Sequence, residues 1–206
     1  MLRARVISSR KPAENGEARI QHFPYPREVA DGKTSVTVEW VIPWEGWKPV
    51  KETVKAYIAG FLDGDGSIML QMKPREDCRF GYRLYSTVRL YQDVSQETEL
   101  RWIADQLKIG CFSERNDGML EYRIDGHENV AWLLRTLEPY VRFKKRQVSL
   151  MLQALENLEQ EQTPELFLET CKIADALSES NYHSAQRKHS AKLVETVLRE
   201  RGFLPL

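Results

Sequence analysis

Leu100, Ile103, Ala104 and Leu107 recur at i, i+3, i+4 and i+7, the repeat of a helix that buries one face. The same period predicts a helix over Val54–Asp63, a third through Val130, Leu133, Leu134 and Leu137 that Pro139 ends, and a fourth through Val148, Met151, Leu152 and Leu155. Asp125 and Glu128 stand at capping-box spacing before the third. Thr163-Pro164-Glu165 supplies the N-cap and first-turn residues of a fifth, and Leu193, Val197 and Leu198 predict a last one. Elsewhere the period changes to two. Ser67–Lys73 and Arg83–Asp93 read as strands joined by a polar loop, and Cys111–Asn116 and Met119–Asp125 flank Asn116-Asp117-Gly118, which suits a tight hairpin.

The order α-β-β-α-β-β-α-α reads as an α+β fold, with helices packed on one face of a four-stranded antiparallel sheet. Residues 1–50 are different: rich in Pro and Gly, with one strand-like run at Thr34–Ile42 and the turn-prone Pro43-Trp44-Glu45-Gly46-Trp47. They read as an N-terminal extension, leaving residues 51–206 as the main domain. Trp40, Trp44 and Trp47 can stack on nucleic acid, although packing against a neighbouring core is the commoner use of such side chains.

Composition narrows the class. No run approaches the roughly 18 apolar residues of a membrane span, and no secretory signal opens the chain, so a soluble intracellular protein is expected. Arg3, Arg5 and Arg10, with no acid among them, resemble an organelle transit peptide as well as a solvated tail, leaving bacterial cytoplasm and organelle both open. Cys78, Cys111 and Cys171 are too scattered for a disulfide framework or zinc knuckle, and His22, His127, His183 and His189 form no metal-ligand spacing. Thirty basic residues balance thirty acidic ones, which counts against a generic polyanion binder. Placement matters more than total, however. Between Lys73 and Arg89 stand Lys73, Arg75, Arg79, Arg83 and Arg89, against Glu76 and Asp77 alone.

Tyr57–Gly66 reads Y-I-A-G-F-L-D-G-D-G, with Ala56, Gly60 and Gly64 four apart. That spacing strips one helix face of side chains and lets another backbone approach closely. Gly64 and Gly66 can also serve simply to end the helix. The motif resembles that of the LAGLIDADG homing endonucleases, and Ser95-Gln96-Glu97-Thr98, Arg101-Trp102, Glu138-Pro139-Tyr140 and Lys144-Lys145-Arg146-Gln147 are similar to segments of the single-motif, chloroplast-intron type. The resemblance covers roughly residues 51–200 and implies the family's αββαββα fold, with a DNA-binding sheet and extra C-terminal helices.

It also implies a Mg²⁺-dependent enzyme that cuts both strands of a long double-stranded DNA site. One motif copy implies a homodimer through Ala56, Gly60 and Gly64, which would bring two Asp65 carboxylates together. Two adjacent carboxylates repel unless a hard cation sits between them. By resemblance Asp65 is the metal ligand with the Gly64 carbonyl beside it, Asp63 is structural, and Gln96 and Lys144 order the attacking water and offset charge. One departure stands out: relatives carry a basic residue where this chain has Leu100, so part of that network is missing or moved to Arg101 or Lys145.

Period two places Arg83, Tyr85, Thr87, Arg89 and Tyr91 on one face of their strand, with Gln71, Lys73 and Arg75 on the preceding strand and Glu121 and Arg123 on the last. Such a face suits a β-ribbon in the major groove, since Arg pairs with guanine and Gln with adenine. Strands of about nine residues span ~30 Å, so a dimer would cover about twenty base pairs of a nearly palindromic site. Phosphate contacts are expected from Lys73, Arg142, Lys145, Arg187 and Lys188, the last two by resemblance. A non-cutting intron-splicing RNA maturase on the same fold is the alternative; intact Asp65, Gln96 and Lys144 favour the nuclease.

Overall fold

The computed structural model describes residues 50–181 and 188–205, and the backbone of two short strands, Arg5–Val6 (β1) and Glu39–Trp40 (β2). Helix α1 runs over Glu52–Asp65, followed by β3 (Gly66–Pro74) and β4 (Tyr82–Asp93). A 3₁₀ turn leads into α2 (Glu97–Leu107), then come β5 (Cys111–Glu114), β6 (Met119–Asp125) and α3 (His127–Leu137). Three helices close the chain: α4 (Lys145–Glu159), α5 (Pro164–Glu179) and α6 (Ala191–Glu200).

The α+β class and the element order agree with the sequence pattern. The sheet order is β1-β2-β5-β6-β4-β3, so two short strands add to the four expected. Of the expected strand Thr34–Ile42 only Glu39–Trp40 is described, paired antiparallel with Cys111 and Phe112. The rest of that run, the Pro43–Trp47 turn, the Trp44 and Trp47 side chains and Arg187 lie outside the described residues, as does the side chain of Trp40. No helix among the described residues is long and apolar enough to cross a membrane.

The chain divides into two compact units, each with its own buried centre. In Gln92–Tyr122, helix α2 buries Leu100, Ile103, Ala104 and Leu107, and Phe112 stacks on Tyr122 at 4.9 Å. Tyr122 is fully buried, and its hydroxyl donates to the Ile109 carbonyl, which removes the cost of an unpaired buried O–H. Lys108 ends α2 in the left-handed region, with its N–H returned to the Ala104 carbonyl at 2.7 Å.

The other unit comprises Val50–Tyr91 and Arg123–Leu206. Strands β3 and β4 pair in register from Gly66↔Leu90 to Pro74↔Tyr82, and Ile68, Leu70, Met72, Leu84, Val88 and Leu90 are buried with Ile58, Ala59 and Leu62 of α1. Removing such aliphatic side chains from water contributes about 1.5–3 kcal/mol apiece. Gly66 has a reason of its own: a Cβ there would stand 2.6 Å from the Leu62 carbonyl oxygen and 2.8 Å from its Cα, so only glycine lets the chain leave the helix directly into β3. Thr163 caps α5 as expected, its hydroxyl accepting from Leu166 N–H at 3.2 Å.

The capping box expected at Asp125 and Glu128 does not form. Gly126, at φ +93, takes the N-cap position of α3 with no side-chain cap, because the strand must turn sharply into the helix there, and the Asp125 carboxylate is engaged elsewhere.

Candidate active site and nucleic-acid interface

Two helix ends meet against their own dipoles. Helix α1 finishes with Asp63, Gly64 and Asp65 and no basic residue, although a helix C-terminus favours cations. Helix α4 is preceded by Arg142 and Lys144 and opens with Lys145 and Arg146, with no acid in its first turn. Local rules broken in this way mark positions held for another purpose.

Asp63 joins the two ends. Its Oδ2 accepts the main-chain N–H groups of Arg142 at 2.6 Å and Phe143 at 3.1 Å, and its Oδ1 accepts that of Lys144 at 3.0 Å. Lys144 Nζ donates in return to the Asp63 carbonyl at 2.6 Å. A remote carboxylate thus caps α4, where Lys144 itself provides no side-chain cap. Partial burial pushes the Lys144 ammonium below its ordinary pKa, and Asp63 and Asp65 oppose that shift. Lys144 is therefore a cation placed within the field of both motif acids.

Asp65 is the last residue of α1 and is exposed, as are Ala56, Gly60 and Gly64. Nothing lies within 4 Å of a Cβ built on Gly60 or Gly64. Tyr57, 54% exposed, borders this bare stripe. Carboxylate and main-chain carbonyl oxygens at a helix C-terminus are hard donors suited to a divalent cation, and the dipole favours positive charge there. Among the described residues no three or more His, Cys, Asp or Glu side chains gather as a metal cluster. With Asp63 taken up by main-chain amides, a single chain offers one motif carboxylate for such an ion.

Gln96, in the other unit, is exposed at the N-cap of α2. Leu100 is 1% exposed and belongs to the core of that helix. Arg101 is drawn to Glu97 at 2.6 Å and lies 4.7 Å over the Phe112 ring, while Lys145 is exposed.

Of the proposed reading face, Gln71 and Lys73 are exposed and Arg83, Tyr85, Arg89 and Tyr91 half-buried, while Leu84, Ser86, Val88 and Leu90 are buried behind them. Lys73 Nζ stands 5.0 Å and the Arg83 guanidinium 5.8 Å from the Tyr85 ring, a cross-strand cluster of cation and aromatic. Four residues depart from the expectation of open polar side chains, the first being Arg123, whose side chain is 12% exposed and paired with Asp125. Thr87 is 6% exposed, its hydroxyl given to Asp125, and Glu121 is 6% exposed. Arg75 is bound by both oxygens of Asp77, at 2.8 and 2.6 Å, because the turn after β3 brings the two side by side. Lys188 is exposed and Arg142 and Lys145 are exposed at the α4 end.

Two features lie outside the sequence expectations. Phe143 is 86% exposed beside Lys144, and the signal available was one aromatic inside a basic run. Asp125 pairs with Arg123, two residues before it on the same strand face, in place of the helix cap expected of it.

Comparison with known proteins agrees with this geometry. The model of the LAGLIDADG endonuclease family matches residues 58–154. The DNA endonuclease I-CreI of Chlamydomonas reinhardtii is 34% identical over 146 residues, covering 69% of this chain and 86% of the relative. The DNA endonuclease I-CvuI of Chlorella vulgaris is 32% identical over 120 residues, 58% of this chain and 74% of the relative. The crystal structure of I-CvuI with its DNA target in the presence of Ca superposes with a TM-score of 0.69 at 30% identity, over 73% of this chain and 95% of that one. An archaeal intron-encoded homing endonuclease bound to DNA, I-Vdi141I, shares the fold at a TM-score of 0.66 and 21% identity, over 74% of this chain and 99% of that one.

Proposed function

Because the chain belongs to the LAGLIDADG endonuclease family, we propose that it is a site-specific homing endonuclease that hydrolyses both strands of a long, nearly palindromic DNA site as a homodimer. The observation that carries this reading is the bare, exposed face of α1 ending at the exposed Asp65. Residues 51–206 form the endonuclease domain and residues 1–50 an extension of it. The enzyme works inside a cell, in a bacterial cytoplasm or an organelle.

Ala56, Gly60 and Gly64 meet their counterparts in a second copy, and each copy contributes Asp65 and the Gly64 carbonyl to the hold on Mg²⁺. When bound, that ion would polarise a phosphoryl oxygen and stabilise the leaving oxygen. Lys144, anchored by Asp63, offsets charge developing on the phosphate, and Gln96 orients water. The β3–β4 face lies along the major groove, with Gln71, Arg83, Tyr85, Arg89 and Tyr91 toward the bases and Lys73, Lys145 and Lys188 toward phosphates. Incubating the purified chain and Mg²⁺ with a library of randomised half-sites, then sequencing the cut products, tests the reading. Recovery of one near-palindromic site is expected; uncut or randomly cut DNA refutes it.

A further inference from the structure

Two acids of β6, the buried Glu121 and the more exposed Asp125, stand among the cations of the sheet face. Arg123 and Asp125 are two residues apart on β6, hence on one face, and Arg123 Nε lies 2.8 Å from Asp125 Oδ2. The other carboxylate oxygen of Asp125 accepts the Thr87 hydroxyl of the neighbouring strand β4. The side chain of Arg123 is 12% exposed and that of Asp125 is 38% exposed. A carboxylate on a surface that faces DNA is repelled by phosphate, so its retention there needs a purpose. Capping α3 is not that purpose, since Gly126 is the N-cap and takes no side-chain bond.

The Asp125 carboxylate, itself held by Thr87, lies against the Arg123 guanidinium and restricts where that side chain can swing. An arginine restrained in this way loses less freedom when it forms the two parallel bonds that guanine offers. We propose that Asp125 is a positioning residue for sequence recognition: clamped by Thr87, it orients Arg123 so that Arg123 discriminates one base pair in each half-site. This inference rests on the DNA-cleaving reading given above.

Binding of the full chain to a set of single-base variants of its half-site tests it, with Arg123→Ala, Asp125→Ala, Asp125→Asn and the Arg123→Ala/Asp125→Ala double variant beside the wild type. Arg123→Ala should lose about tenfold discrimination at one base pair. Both Asp125 variants should lose it at that same base pair, and the double variant should be no worse than Arg123→Ala. Affinity for unrelated sequences should hold or rise, because a negative charge has gone. Asp125→Asn keeps an acceptor for Thr87, so its loss of discrimination is not a loss of fold. A wild-type profile in the Asp125 variants or in Arg123→Ala, a loss at a different base pair, or losses that add would overturn the proposal alone. A wild-type chain with no sequence preference would overturn the DNA-cleaving reading as well.

Discussion

The Asp63 carboxylate accepts the Lys144 main-chain N–H at 3.0 Å while the Lys144 ammonium donates to the Asp63 carbonyl at 2.6 Å, so the end of α1 and the start of α4 grip each other twice. With the N–H groups of Arg142 and Phe143 also bound to Asp63, the turn that carries Lys144 has its geometry set by one acid.

Asp63→Ala should therefore destabilise the fold by about 1–3 kcal/mol, the usual range for losing a cap whose acceptor is charged. Cleavage should slow as Lys144 loses its anchor, with DNA affinity changing little. Urea unfolding paired with single-turnover cleavage measures both; unchanged stability would mean that the three amides are equally well served by water.

A Cβ at Gly60 meets nothing within 4 Å among the described residues, so Gly60→Leu should fold normally yet separate the two copies and yield weakly binding monomers. Sedimentation decides this. An unchanged dimer, or a wild-type monomer on DNA, would remove the symmetric arrangement.

Arg89→Ala should relax preference at one base pair in each half-site at a cost of about 1–3 kcal/mol, whereas Lys188→Ala should weaken all sequences alike and flatten the salt dependence. Equal profiles for the two variants across single-base changes would mean that β4 does not read bases.

Burial, with Arg83 nearby, holds His127 below its ordinary pKa, and its Nδ1 is 2.9 Å from the Ser86 hydroxyl. The folded chain thus favours the neutral ring. The corresponding stability is complete above the unfolded histidine value of about 6.5 and is lost as pH falls from there through the lower folded value. His127→Gln should flatten this part of the dependence of urea midpoints on pH; an identical slope would assign the loss to other groups.

The fold was legible because helices and strands here follow their own periods. Leu100, Ile103, Ala104 and Leu107 announced α2, and the alternation around Val88 and Leu90 announced β4, each within a few residues of its observed limits. Long-range pairing was not legible. Asp63 binds amides some eighty positions away, and Asp125 turns to Thr87 and Arg123 instead of capping α3, choices that depend on which strands and turns become neighbours. The motif's small residues pointed to a bare face, but that Gly60 and Gly64 stand open while Gly66 is pressed against Leu62 required the backbone path.

Single-turnover cleavage by Asp65→Asn across a Mg²⁺ titration, beside DNA binding in Ca²⁺, is the most direct measurement. Asparagine keeps the shape of the side chain and removes the charge that would hold the ion, so cleavage should vanish while binding largely survives. Alanine variants of Gln96 and Lys144 should cut at least about tenfold more slowly, with metal dependence intact. An Asp65→Asn protein that still cuts both strands at the wild-type rate would place the active site away from the end of α1.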